Sequence, residues 1–210
     1  MQTNISTQTV EQAIQQFYDK YDFGDDGGIN HKWAWIKFGF FSIPIPNVEG
    51  RSKVLYIHDI NHLVTENDTT WQGESAVSAW EIGSGGWGQH YIAWLLTLWA
   101  MGLGVLFYPK SVLNSFRKGL TMQNILNCGL TKSEILKLSL PDLQKLLSNK
   151  PSNNTNPFTW MAISFTVFIS PFVIVLLSVW TVFKCFIFEN DQFSVDNFGE
   201  ICTQSTSPQN

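Results

Sequence analysis

Two histidines and the acids around them are the residues whose types and spacing can do chemistry. Leu55 to Val64 reads LYIHDINHLV, with His58 and His62 four apart and Asp59 directly after the first. On a helix of 3.6 residues per turn the two imidazoles point the same way, one turn apart. Asp59 lies about 100° round from His58 and about 60° from His62 on the same helical geometry. All three can therefore converge beside the helix. Two imidazoles and a carboxylate suit zinc, and less specifically iron, manganese or magnesium. A fourth ligand must come from elsewhere. Glu74, twelve residues past His62, is the candidate if the next helix folds back, and Glu66, four beyond His62, competes with it. The remaining histidines, His31 and His90, have no such partners and read as solvent-facing or supporting groups. A zinc-protease helix needs H-E-x-x-H, with the glutamate as general base. That slot holds the shorter Asp59, which places a metal-dependent hydrolase below other readings.

Helices must position these groups. Val10, Ile14, Phe17, Tyr18 and Tyr21 predict a helix over 9–21, and periodicity predicts another from about Ser52 to about Val64. Thr69 and Gln72 fit a capping box opening a third helix that runs to about Ile82. The glycines from Gly83 to Gly88 lack the lysine of a phosphate loop and read as a turn between helices. Asp22 to Asn30 is a loop whose acids miss the calcium-loop spacing. Trp33 to Phe41 is a short strand-like or helical segment, and the Ile-Pro-Ile-Pro-Asn run at 43–47 is expected to break regular structure. The stretch 111–151 is basic and amphipathic, anchored by Leu126, Leu130, Ile135, Leu138, Leu143, Leu146 and Leu147. The expectation is an all-α protein with at most a short β element.

Composition points to a membrane. Only 14% of the 210 residues are charged and 44% are apolar, which excludes a disordered chain. Net charge −4 argues against nucleic acid as a partner. Charge is uneven: residues 1–90 carry 11 acids against 5 bases, and residues 91–157 carry 7 bases against 2 acids. Phe158 to Phe183 is 26 residues without a charge, and the apolar run continues past Lys184 to Phe188. A helix over 158–188 would be about 46 Å long, more than the ~30 Å of a hydrocarbon core. With Pro171 near its middle, it is either one kinked span or a helical hairpin in one leaflet. Tyr91 to Tyr108 is also uncharged but is expected to be a buried helix of the soluble domain. The domain plan is therefore a helical metal-binding domain at 1–150, a linker at 151–157, a hydrophobic membrane segment at 158–188 and a polar tail at 189–210. The basic middle should face the cytoplasm. The N-terminus has neither an apolar secretory core nor transit-peptide arginines, and Cys128, Cys185 and Cys202 form no pair in the sequence. The expected place is the prokaryotic inner membrane, metal domain in the cytoplasm.

His58-Asp59-x-x-His62, eleven residues, then Glu74 resembles the motif of the Coq-four family of ubiquinone (coenzyme Q) biosynthesis. The flanks are similar too: Phe23-Gly24-Asp25-Asp26-Gly27-Gly28, the stretch from Pro44 to Arg51, and Gly73-Glu74 followed by Ala79-Trp80-Glu81. The resemblance covers roughly residues 10–125. It implies an all-helical fold in which His58, Asp59, His62 and Glu74 hold a divalent metal, usually zinc. It further implies association with the inner membrane and with other quinone-biosynthesis proteins. The implied ligand is a prenylated benzoquinone precursor or related isoprenoid lipid, with oxidative decarboxylation at the ring carboxyl carbon as the linked reaction. A non-catalytic lipid-binding scaffold is the alternative. Zinc has no second oxidation state, so an oxidative step would need oxygen, another metal or a partner enzyme. Arg51 and Lys53, just upstream of the histidines, are candidates to pair with a substrate carboxylate or phosphate; ordinary solvated charges at a helix start are the alternative. The long apolar C-terminal segment and the absence of a mitochondrial address depart from the family pattern.

Overall fold

The computed structural model describes the backbone of residues 8–24, 33–38, 41–46, 49–148 and 155–204, and the side chains of 8–24, 54–148 and 155–185. Helix α1 (Val10–Tyr21) precedes a hairpin of β1 (Trp33–Phe38) and β2 (Phe41–Pro46). Then follow α2 (Glu49–Thr65), α3 (Trp71–Gly83), α4 (Tyr91–Phe107), α5 (Pro109–Leu120), a 3-10 turn at Ile125–Asn127, α6 (Lys132–Lys137), α7 (Leu140–Leu147) and α8 (Pro157–Gln204). The expected helical architecture holds, with the hairpin as its short β element.

The chain divides into two units, Met1–Phe168 and Ile169–Asn210. In the first, α3 is the central element. Every residue from Ser75 to Gly83 is buried, so the helix is enclosed on all sides. Enclosure demands small residues at the crossings. Gly83 lies against the backbone of Phe116, and Gly119 against that of Trp80; a Cβ at either would come within 2.4 Å of a carbonyl oxygen. These paired glycines let α3 and α5 pack backbone to backbone. One apolar cluster joins α1, α2 and α7 through Ile14, Phe17, Ile57, Ile60, Val64, Leu143 and Leu147, and a second joins α3, α4 and α5 through Ile82, Met101, Val112 and Phe116. Backbone bonds Val10 N–H to Leu138 O (2.9 Å) and Leu140 N–H to Gln8 O (3.2 Å) tie the start of α1 to the α6–α7 link.

Two local expectations are corrected. Residues 43–46 do not break regular structure. They lie in β2, where Trp33 pairs with Pro46 and Trp35 with Pro44 across an antiparallel register. A two-stranded ribbon has an outer edge on each strand, and prolines two residues apart can both keep their missing N–H on that edge. The α3 cap is Thr70 rather than Thr69. Its hydroxyl accepts from Gly73 N–H at 3.2 Å, and it donates to Asp68 Oδ1 at 2.6 Å. The third helical position is therefore Gly73, and no reciprocal glutamine closes a capping box there. Asp68 comes so near that a Cβ on Gly73 would sit 2.1 Å from its carbonyl oxygen.

Tyr91–Phe107 is only partly the buried helix expected. Ala93, Thr97, Met101, Gly102 and Gly104 are buried, while Tyr91, Ile92, Leu95, Leu106 and Phe107 are exposed. The first turns of α8 pack on α4: Trp160 stacks on Trp94 at 5.6 Å between ring centroids, and Phe168 meets Trp99 at 5.1 Å.

Helix α8, which begins in the first unit, is continuous through Pro171 rather than a hairpin and runs to Gln204. Its stretch Pro157–Cys185 is long and apolar enough to cross a membrane. From Phe172 to Phe183 the large apolar side chains are all exposed.

A Gly73→Ala substitution tests the α2–α3 connection. The forced displacement of Asp68 should cost about 1–3 kcal/mol, lowering the thermal midpoint of the metal-free protein by several degrees; an unchanged midpoint would contradict the packing described.

Candidate metal centre

Helix α2 supplies the histidines and α3 the acids. His58 and His62 stand one turn apart with ring planes at 88° and centroids 4.8 Å apart. Glu74 lies in the first turn of α3. His58 Nε2 is 3.2 Å from His62 Nε2 and 3.2 Å from Glu74 Oε2, and His62 Nε2 is 3.4 Å from Glu74 Oε1. One ligand atom from each of the three residues lies within 4.8 Å of the others, a group able to hold a metal ion. Tetrahedral ligands ~2.0–2.2 Å from zinc lie about 3.3–3.6 Å from one another, close to these separations.

What surrounds the rings decides which atoms face inward. His62 Nδ1 is 3.2 Å from the backbone carbonyl of Asn67. A carbonyl only accepts, so Nδ1 carries the proton and donates. Asn67 reaches this place because Glu66 adopts a left-handed conformation (φ 61°) at the end of α2. His58 Nδ1 is 2.8 Å from Oε1 of Glu81, a side chain with no solvent exposure. Glu81 Oε1 also accepts from Asn61 Nδ2 at 2.9 Å, and Oε2 accepts from Trp87 Nε1 at 3.3 Å and Thr97 Oγ1 at 3.2 Å. Amide and indole N–H groups cannot accept, so Oε1 takes one donor from Asn61 and Oε2 faces two from Trp87 and Thr97, and a carboxylate placed among donors in this way accepts from His58 Nδ1 as well. The His58 proton therefore sits on Nδ1. In their neutral forms both rings would turn bare Nε2 lone pairs toward each other and toward Glu74. Three electron-rich atoms this close require a cation among them, a metal or a proton. Fixing the tautomer through the far ring nitrogen is how outer partners orient metal-binding histidines.

The remaining expected residues divide. Asp59 is buried, and its Oδ2 accepts from the Tyr18 hydroxyl at 3.1 Å; it is not one of the three residues whose ligand atoms converge. Glu66, the competitor, is exposed and faces Gln144 Nε2 at 3.4 Å. Arg51 and Lys53 stand in the first two turns of α2, with side chains outside those described, and the whole of His31 lies outside the described residues. His90 is the residue before α4 and makes no capping hydrogen bond with its side chain. Sequence reasoning missed Glu81 as a working residue and Asn67 entirely. The signal for Glu81 was present: it lies seven residues, about two turns, past Glu74, hence on the same face of α3. No protein-family model, curated protein or solved structure matches the chain. The side chains themselves carry the assignment.

Electrostatics fit a cation site. Burial alone would lower the His58 pKa, but the charges and hydrogen bonds of Glu81 and Glu74 outweigh it and hold the ring well above its ordinary 6.5. Burial favours protonated Glu74, yet hydrogen bonds from His58 and His62 hold its carboxyl well below the usual range. Asp59 goes the other way: burial raises it to about 6 against the pull of His58, His62 and the Tyr18 hydroxyl. His62 keeps 1% of its side chain exposed, against 24% for His58 and 28% for Glu74, so the cluster opens to solvent on the His58 and Glu74 side.

Metal uptake should therefore expel a proton from His58. Because its folded-state pKa is raised, that proton stabilises the metal-free fold fully below about pH 6.5, and the contribution is lost as pH rises through the raised value. Metal affinity should run the opposite way. It should climb about tenfold per pH unit below that value and level off above it. Calorimetric metal titrations of the full chain in two buffers of unlike protonation enthalpy should show about one proton released per ion at neutral pH. Release of none would contradict this electrostatic picture.

Proposed function

We propose that the chain is a membrane-anchored metal protein that acts on a prenylated benzoquinone precursor, with oxidative decarboxylation at the ring carboxyl carbon as the reaction and dioxygen, or a partner enzyme, as the oxidant, because zinc itself cannot accept electrons. The observation that carries this reading is the convergence of His58 Nε2, His62 Nε2 and the Glu74 carboxylate in the H-D-x-x-H…E order of the family it resembles. Zinc is the first choice for this donor set, ahead of magnesium, manganese or iron. The family motif would add Asp59 as a fourth ligand. A divalent ion there supplies positive charge to hold an anionic headgroup and to stabilise charge developing on oxygen.

The chain's own residues do the rest. Glu81 and Asn67 keep the two imidazoles aimed at one point. Arg51 and Lys53 are the candidates to pair with a carboxylate or phosphate on the substrate. The exposed apolar surface of Pro157–Cys185 supports anchoring in the bilayer where an isoprenoid substrate resides. The basic residues between α4 and α8 favour a cytoplasmic orientation, with the metal domain on that side of an inner membrane. The hydrolase reading loses support because Asp59, in the general-base position, is buried and occupied by Tyr18.

The test is direct. Full-length protein in detergent or nanodiscs, loaded with metal, is given a prenylated hydroxybenzoate under air, and carbon dioxide release is followed. Turnover that His62→Ala abolishes supports the enzyme. Tight binding without turnover makes the chain a lipid-presenting scaffold, and neither binding nor turnover rejects the substrate class. Membrane anchoring is checked separately. The full chain should stay with the membrane fraction through an alkaline carbonate wash, and release into the supernatant would reject a spanning α8.

A further inference from the structure

Glu81 occupies a position that metal binding by itself does not explain. Its carboxylate is completely buried on α3, two turns beyond Glu74, and reaches across to α2 to contact His58 rather than the point where the three ligands meet. An isolated buried carboxylate is costly, and this one is offset by four donors. Asn61 Nδ2 shares Oε1 with His58. On the other oxygen, Trp87 and Thr97 form a closed triangle. Trp87 Nε1 lies 2.8 Å from Thr97 Oγ1 and 3.3 Å from Oε2, and Thr97 donates to Oε2 at 3.2 Å. Trp87 comes from the glycine turn after α3, and Thr97 from the buried side of α4. Three separate segments thus contribute donors whose shared product is one orientation of one imidazole.

We propose that Glu81 is a positioning residue: with Asn61, Trp87 and Thr97 it locks His58 in the Nδ1–H form, so that the neutral ring presents its Nε2 lone pair to the metal. This rests on the metal reading for its purpose but not for its observable, because the tautomer exists with or without metal. Glu81→Gln keeps the shape and removes the charge. A glutamine amide can turn its NH2 toward His58 Nδ1, which then becomes the acceptor and moves the ring proton to Nε2, into the ligand cluster.

The experiment uses the full chain carrying 15N-labelled histidine, at a pH where His58 is neutral. In metal-free wild type, His58 should show the chemical-shift pattern of a protonated Nδ1 and a bare Nε2; in Glu81→Gln the pattern should invert. Zinc titration should find Glu81→Gln about 10–100-fold weaker than wild type, the usual penalty for losing an outer partner. A wild-type His58 protonated on Nε2 overturns the proposal, as does a Glu81→Gln protein with wild-type tautomer and affinity. Should Glu81→Gln fail to fold, the wild-type tautomer alone decides. Wild type that has the expected tautomer yet takes up no zinc, magnesium, manganese or iron would sink the metal reading and leave the tautomer assignment standing.

Discussion

A carboxylate sealed from water must be met by donors or lose its charge, and Glu81 sets that condition for the centre of this protein. Its four donors come from α2, the α3–α4 turn and α4. Meeting them brings those segments into register. One of the four is the imidazole whose other nitrogen faces His62 and Glu74. Packing and site chemistry therefore share an atom, and the orientation of His58 follows from how the helices assemble.

The rest of the fold serves this arrangement. Glycines at the α3–α5 crossing allow α3 to be enclosed, and an enclosed helix can hold Glu81 away from water. The α2–α3 connection does two jobs. Glu66 turns the chain into a left-handed conformation so that the Asn67 carbonyl meets His62, and Thr70 with Asp68 starts α3 where Glu74 falls opposite both histidines. Aromatic packing closes the other flank, with Phe17 5.5 Å from the His62 ring. Of the three candidate ligands, His62 is the most deeply set, whereas His58 and Glu74 border solvent.

How much of this was legible depends on distance along the chain. The His58–His62 pair follows from helical periodicity, a local rule, and it survives in the structure. Glu74 required a guess about how two helices fold back, but the short loop between them left few alternatives. Glu81 was harder. Its spacing from Glu74 marks it as lying on the same face, yet nothing local says that the face is buried or that Trp87 and Thr97 wait there. The Asn67 carbonyl was out of reach, since any residue type offers one. Residues 43–46 misled because proline is read as a breaker, while an edge strand tolerates it where the N–H is unused. In α4 the uncharged sequence could not separate its buried side from the exposed edge at Tyr91, Ile92 and Leu95, because both sides are apolar. Pro171 left a hairpin open, yet α8 continues through it.

The central claim is that His58, His62 and Glu74 hold one cation. Elemental analysis decides it most directly: the full-length protein is equilibrated with zinc, freed of unbound ion and counted for metal per chain. The account predicts about one ion per chain for wild type and almost none for the His58→Ala/His62→Ala double variant, folded to the same extent. Wild type that emerges empty, or a double variant that retains the same metal, would contradict it.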